Sequence, residues 1–357
     1  MILPFLSFHS YLFCLLPFAF LSFLMSFDFK PLILSSLETM RSGELAKPDR
    51  KWEAVAYKKA IQNLKRFDGP IYSAEAIKDV DGVGKKIYTK IVEIVATGAL
   101  KAAENMKETT NVGAFDLLLQ VHGIGPVKAR ELLAAGIRSI ADLRAAFKAD
   151  PELLNETQQI GLHYYEAGIQ RIPRSEMEAH EAVLLSNVPA GLKGVIVGSY
   201  RRGAEDSGDV DMLVTYNTNV DAKDAQIAFK KLVTDLIADN YIVAKLVSGT
   251  KKWMGYVQLR PDTVPRRLDL LLTPPNEFAY ALFYFTGSDR FNVAFRSHCL
   301  SLGYTLNEHT MKPTAKGVEK GVPLPPPMAN EKDIFDFVGL KFFPPNQRVN
   351  GSQIVPK

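Results

Sequence analysis

Gly198-Ser199-Tyr200-Arg201-Arg202-Gly203-Ala204-Glu205-Asp206-Ser207-Gly208-Asp209-Val210-Asp211 decides how this chain reads. It follows Val195-Ile196-Val197, a β-branched run that predicts a buried strand. Gly198-Ser199 then opens a segment rich in glycine and arginine. Such a segment offers backbone N–H groups, a hydroxyl and guanidinium forks to phosphate oxygens. Asp209 and Asp211 alternate with Val210 on a second predicted strand, Asp209 to Thr215, so both carboxylates project from one face. Two such carboxylates repel each other unless a cation lies between them. Oxygen ligands at this density suit Mg²⁺, which keeps positions open for phosphate and water. A second metal and an activated hydroxyl call for a third carboxylate. Asp269, within Arg267-Leu268-Asp269-Leu270 on another predicted strand, is the candidate. An Asp-X-Asp pair alone is common in turns and on solvated strands. The Gly-Ser start directly behind a strand is what favours chemistry.

Working outward, everything ahead of this stretch has helical spacing. Tyr57 to Phe67 predicts a basic helix ending before the turn Asp68-Gly69-Pro70. Ser73 is placed to cap a short helix through Asp79. A helix is predicted from Lys85 to Thr97, with Ile87, Ile91, Ile94 and Val95 on one face and Gly98 as its C-terminal cap. It is preceded by Gly82-Val83-Gly84, and the same design recurs at His122-Gly123-Ile124-Gly125-Pro126. Ser175 and Glu178 have the spacing of a capping box. Behind the site, strands are predicted over Met254–Leu259 and Leu268–Leu272. Helices capped by Asn276 and Ser288 follow, then a proline-rich tail with a short element from Asp333 to Val338.

A chain of 357 residues holds two or three domains. Its charged share of 23% and apolar share of 47% are those of ordinary globular proteins. The net charge of +4 permits nucleic-acid binding without arguing for it. Two cysteines, Cys14 and Cys299, exclude a disulfide framework, and the scattered histidines argue against zinc. The start is unusual. No charged residue precedes Asp28, yet the stretch lacks the basic start of a signal peptide, and Pro4 and Pro17 interrupt any helix. Residues 1–46 are therefore set apart as an apolar leader or an over-extended gene model with Met40 as the true start.

The loop and carboxylates resemble the nucleotidyltransferase pattern of the family X DNA polymerases, closest to DNA polymerase beta. Tyr284-Phe285-Thr286-Gly287-Ser288-Asp289-Arg290-Phe291-Asn292 resembles the nucleotide-selecting segment of the beta-type enzymes. The resemblance covers roughly residues 50 to 345. It implies an α+β multidomain fold. Helical lyase-like (47–105) and DNA-binding (106–170) parts, each with a helix-hairpin-helix, precede a palm with a mixed β-sheet (171–273). A small α/β nucleotide-selecting subdomain (274–357) closes the chain.

The resemblance also implies roles. Asp209, Asp211 and Asp269 would hold two Mg²⁺ ions, with Mn²⁺ able to substitute, and Asp269 would be the base for a primer 3′-hydroxyl. Ser199, Arg202, Ser207 and Gly208 match triphosphate-binding positions. Tyr284, Phe285 and Gly287 match a sugar-contacting turn that excludes a ribose 2′-hydroxyl. Asp289 and Asn292 match contacts to the incoming nucleotide, and Arg296 matches a contact to the template strand. Gly82, Gly84, Gly123 and Gly125 would let backbone approach DNA phosphates, with Na⁺ or K⁺ at the turns. Lys252 and Arg267 are further DNA contacts. Lys86 and Lys90 lie one helical turn apart, and Lys90 borders the apolar stripe, a setting suited to Schiff-base chemistry. From spacing alone, a solvated basic face is the plainer reading. The resemblance makes Lys90 the nucleophile of a 5′-deoxyribose-phosphate lyase, with Tyr57 and Lys86 in its phosphate pocket and Lys78 a DNA contact.

Several positions depart from the family pattern. Glu53 and Ala102 stand where lysines of the lyase pocket are usual, and Trp52 where a stacking histidine is. Gln159, Leu271 and Val293 replace an arginine, an arginine and a lysine. The expected function is short-gap filling in base excision repair by a monomer acting on gapped or nicked DNA with deoxynucleoside triphosphates, partnered by a repair ligase or scaffold protein, in the nucleus or mitochondrion. The alternatives are a template-independent transferase and a non-catalytic DNA-end-binding scaffold.

Overall fold

The structure, a computed structural model, describes residues 27–47, 51–109 and 111–357. It divides into two compact units. One comprises the described residues up to Leu119 with Gly125–Leu143; the other comprises Gln120–Ile124 and Arg144–Lys357.

The first unit is helical: α1 (Lys30–Leu45), α2 (Lys51–Arg66), α3 (Lys85–Thr97), α4 (Lys101–Thr109), α5 (Val112–Leu119) and α6 (Pro126–Ala134). The chain leaves it within α7 (Ile140–Ala149). Spacing of three and four residues puts Ile33, Leu37 and Met40 of α1 on one face. That face packs with Ala60, Ile61 and Leu64 of α2 and Ile87, Ile91 and Ile94 of α3. Helix α3 has the predicted limits, and Gly98 ends it in the left-handed conformation at φ 73°.

Helix α1 corrects the treatment of residues 1–46 as a leader. Phe29, Ile33 and Leu37 are at most 3% exposed, each contributing roughly 1.5–3 kcal/mol through burial. A start at Met40 would remove all three. The apolar stretch 1–26 lies outside the described residues. Ser73 caps nothing: the short element is a single 3₁₀ turn, Glu75–Ile77, with Ala74 at its N-cap.

The second unit continues with α8 (Glu156–His163), α9 (Tyr165–Gly168), β1 (Ile172–Pro173), α10 (Arg174–Ser186), β2 (Leu192–Ile196), α11 (Gly198–Arg201), β3 (Asp206–Ser207), β4 (Val210–Tyr216), α12 (Ala222–Ala238), β5 (Ile242–Ser248), β6 (Lys252–Val257) and β7 (Arg266–Leu272). Five strands form a mixed sheet in the order β2-β4-β7-β6-β5, in which only β4 and β7 run parallel. Helices α10 and α12 cover one face through Met177, Leu184, Phe229, Leu232 and Leu236. Neither α12 nor β5 was expected from the sequence. Ser175 and Glu178 form no capping box: α10 begins at Arg174 with Pro173 at the N-cap, and Glu178 pairs with Arg174 at 3.5 Å.

The chain ends in α13 (Phe278–Thr286), α14 (Asp289–Ser301), β8 (Tyr304–Leu306), β9 (Met311–Pro313), α15 (Ala315–Glu319) and α16 (Glu331–Phe337). Phe283, Phe291, Phe295 and Phe335 form their core. Ser288 caps α14 by accepting from the Phe291 N–H at 3.3 Å, as predicted. Asn276 does not cap α13, whose N-cap position is Glu277.

Candidate active site

The parallel pairing of β4 and β7 sets Asp211 directly opposite Asp269, on strands spaced about 4.8 Å apart. Asp209 precedes β4 and shares the face of Asp211 by the two-residue period. The third carboxylate proposed from sequence is thus a register neighbour of the second. The electrostatic result is unfavourable for the bare protein. Burial first, then the charges of Asp209 and Asp269, push the Asp211 carboxyl up to about 7. Asp209 is raised by burial and then by Asp269. Arg267 opposes both shifts and donates through Nη2 to Asp269 Oδ1. Its Nη1 lies 3.0 Å from Nδ1 of His122.

Three carboxylates whose charge Arg267 offsets only in part fit a divalent cation. Among the described residues, however, no three acidic, histidine or cysteine side chains already converge on one point. Asp269 is drawn instead to Arg267.

The glycine-rich segment wraps this face. Gly198 has φ +65°, and a Cβ there would sit 3.0 Å from Asp211 Oδ2, so both conformation and space require glycine. Ser199 donates to Ser207 at 2.9 Å, and Ser207 is buried. Arg202 donates to the Thr286 carbonyl at 2.7 Å and lies beside Gly287. The glycine-rich segment and the turn after Tyr284 are therefore brought together. Within that turn, Tyr284 and Phe285 meet edge to face at 5.3 Å. Gly287 has φ +70° and precedes a cis peptide bond to Ser288. Asn292 donates to the Tyr284 carbonyl at 2.7 Å, leaving its buried Oδ1 unpartnered. Asp289 is exposed and its charge acts on Arg202. Arg296 and Lys252 are also exposed.

Sequence reasoning passed over Arg171. Its guanidinium clasps Asp206 Oδ1 at 2.7 and 3.2 Å and would lie 3.1 Å from a Cβ on Gly208. The signal is the β1–β3 pairing of Ile172 with Ser207, which no local pattern announces. Gln159 points away from chemistry, donating to the Leu154 carbonyl at 2.7 Å. Leu271 packs against the apolar cluster of Val197, Leu213 and Ala281. Val293 is half-buried on α14.

The two glycine hairpins match in detail. Gly82 and Gly123 have φ +89° and +87°. A Cβ at Gly82 would meet the Ala60 backbone at 3.0 Å, and one at Gly123 would meet Thr157 at 3.1 Å. Fold geometry explains those two. Gly84 and Gly125 are extended N-cap residues, and a Cβ added to either would have nothing within 4 Å. Among the described residues no neighbour requires them to be glycine, whereas close approach by an external group would.

The lysine face is less well furnished. Lys90 is half-buried and Lys86 exposed on α3. The Tyr57 phenol is raised by burial, then by Glu44 and Glu53, so the expected phosphate pocket carries negative charge. Lys78 is ion-paired with Glu75.

Comparison with known proteins agrees with this layout. Residues 29–100 match a helix-hairpin-helix domain, 116–167 the fingers domain of DNA polymerase lambda, 171–275 the DNA polymerase beta palm and 281–349 the DNA polymerase beta thumb. DNA polymerase lambda of Rattus norvegicus is 32% identical over 311 residues, covering 84% of this chain and 52% of that protein. DNA polymerase lambda of Arabidopsis thaliana is 30% identical, covering 83% and 58%. A DNA polymerase type-X family protein of Schizosaccharomyces pombe is 27% identical, covering 83% and 60%. The chain spans little more than half the length of these relatives.

Proposed function

We propose that this chain, which belongs to the family X DNA polymerases, fills short gaps in DNA during base excision repair by transferring deoxynucleotides to a primer 3′-hydroxyl. The observation that carries the reading is the in-register pair Asp211–Asp269, with the charge of Asp209 acting on Asp211. Asp209, Asp211 and Asp269 would hold Mg²⁺, whose charge offsets their repulsion and that of the triphosphate. Asp269 would accept the proton of the 3′-hydroxyl. Ser199, Arg202, Ser207 and Gly208 would orient the triphosphate, and Tyr284, Phe285 and Gly287 the sugar. Rate then comes from positioning and charge neutralisation. Gly84 and Gly125, at two helix N-termini, would hold DNA phosphates without reading sequence; Na⁺ or K⁺ at those turns would assist.

Lys90 would also attack C1′ of a 5′-deoxyribose phosphate, lose water to form a Schiff base, and release the phosphate end by β-elimination. The nucleus is the compartment we assign, with a repair ligase or scaffold protein as partner. The test is extension of a primer on gapped DNA with Mg²⁺. Template-directed single-nucleotide addition, abolished by Asp269→Ala, is expected. Equal extension of a single-stranded primer without template would overturn it.

A further inference from the structure

Arg267 is shared between two acceptors. Nη2 donates to Asp269 at Oδ1, while Nη1 lies 3.0 Å from Nδ1 and 3.5 Å from Nε2 of His122. Its Nε is buried without a partner. The side chain is only 14% exposed, so each acceptor counts for more than it would at the surface. His122 is held in place by its backbone. Gln158 donates to the neighbouring Gly123 carbonyl at 3.1 Å. The His122 carbonyl fits so closely over Gly161 that a Cβ there would overlap it at 2.1 Å. Burial, then the Arg267 charge, lower the imidazole's affinity for a proton. A neutral ring keeps a lone pair that can accept from the guanidinium.

We propose that His122 is a positioning residue for metal binding at Asp269: by accepting from Nη1 it divides the Arg267 guanidinium and keeps it from closing on the carboxylate with both donors. The proposal rests on reading the three aspartates as a metal site. Without His122, Nη1 has lost its acceptor beside a carboxylate already held by Nη2. A two-point fork is the stronger geometry for that pair. It would occupy both carboxylate oxygens and leave neither free to meet a cation.

Mn²⁺ binding to the metal-free full chain, followed by loss of the free-ion electron paramagnetic resonance signal, reads this without turnover. His122→Ala weakens binding roughly five- to tenfold. His122→Phe, which keeps a ring and drops the acceptor, does the same. His122→Gln restores most of the affinity. In an Arg267→Ala background His122→Ala changes nothing, because the effect passes through the guanidinium. Unchanged or tighter binding in both the Ala and Phe variants overturns the proposal, as does an equal loss in the Arg267→Ala background. Wild-type protein that binds no Mn²⁺, or binding indifferent to Asp269→Ala, overturns the metal-site reading and the proposal with it.

Discussion

The carboxylate site and the lysine face of α3 are built on opposite plans. Around Asp209, Asp211 and Asp269 the fold concentrates like charge, raises two carboxyl groups and commits Arg267, Arg202 and Asn292 to specific partners. Around Lys90 it supplies a half-buried amine on an amphipathic helix, in a unit where Glu44 and Glu53 raise the Tyr57 phenol. The first site carries an unfavourable concentration of negative charge that a bound cation would relieve. The second offers a candidate amine, and the negative charge that raises the Tyr57 phenol suits a phosphate poorly. Charge that awaits a ligand is a stronger mark of a working site than the residue types alone.

Separating the two sites gives the largest effect. Asp269→Ala is expected to lower gap filling by about a thousandfold or more while leaving borohydride trapping of a 5′-deoxyribose-phosphate substrate intact. Lys90→Ala should abolish trapping and leave extension within about threefold. Loss of both activities in either variant would break the distinction.

Metal-free stability tests the carboxylate half. Asp211 titrates at about 7 when folded and near 3.9 unfolded. The folded chain therefore holds its proton longer, and stability falls as pH rises through that window, with the full penalty above about 7. Asp211→Asn is expected to stabilise the metal-free protein at pH 8 by about 1–3 kcal/mol, and negligibly near pH 4. Urea unfolding in chelator at both pH values checks this; an equal gain at each would remove the electrostatic cause.

The hairpins extend the comparison to glycines with and without an internal reason. Gly84→Ala and Gly125→Ala should weaken gapped-DNA binding roughly fivefold each at unchanged Tm. Gly82→Ala and Gly123→Ala should instead lower stability by about 1–2 kcal/mol, since φ is positive and backbone or side chain is close. A Tm loss in the first pair would assign those glycines to the fold.

The sequence carried the site where local pattern carries it. Val195–Asp211 announced a strand, a loop and a second strand carrying carboxylates, and Lys85–Gly98 announced its helix to the residue. Asp269 was reachable because its own strand was recognisable. Arg171 and His122 were not, because their importance arises from β1–β3 pairing and from a loop folding onto Arg267. Helix α12 and strand β5 were missed between the stronger strand signals. Helix α1 was missed because the apolar residues before it obscured where a core-facing spacing begins.

The smallest effect returns to the lysine face. Glu53 stands where the resemblance puts a phosphate-binding lysine, and with Glu44 it raises the Tyr57 phenol. Exposed charges act weakly through water, about 0.2–1 kcal/mol per pair. Glu53→Lys is therefore expected to raise the lyase rate at subsaturating substrate by roughly three- to fivefold, mainly through KM. The gain should shrink as salt rises, because the interaction is screened over about 10 Å at 0.1 M. Gap filling should not change. A salt-independent gain, or one confined to kcat, would place Glu53 in the chemistry of the amine rather than in the field around it.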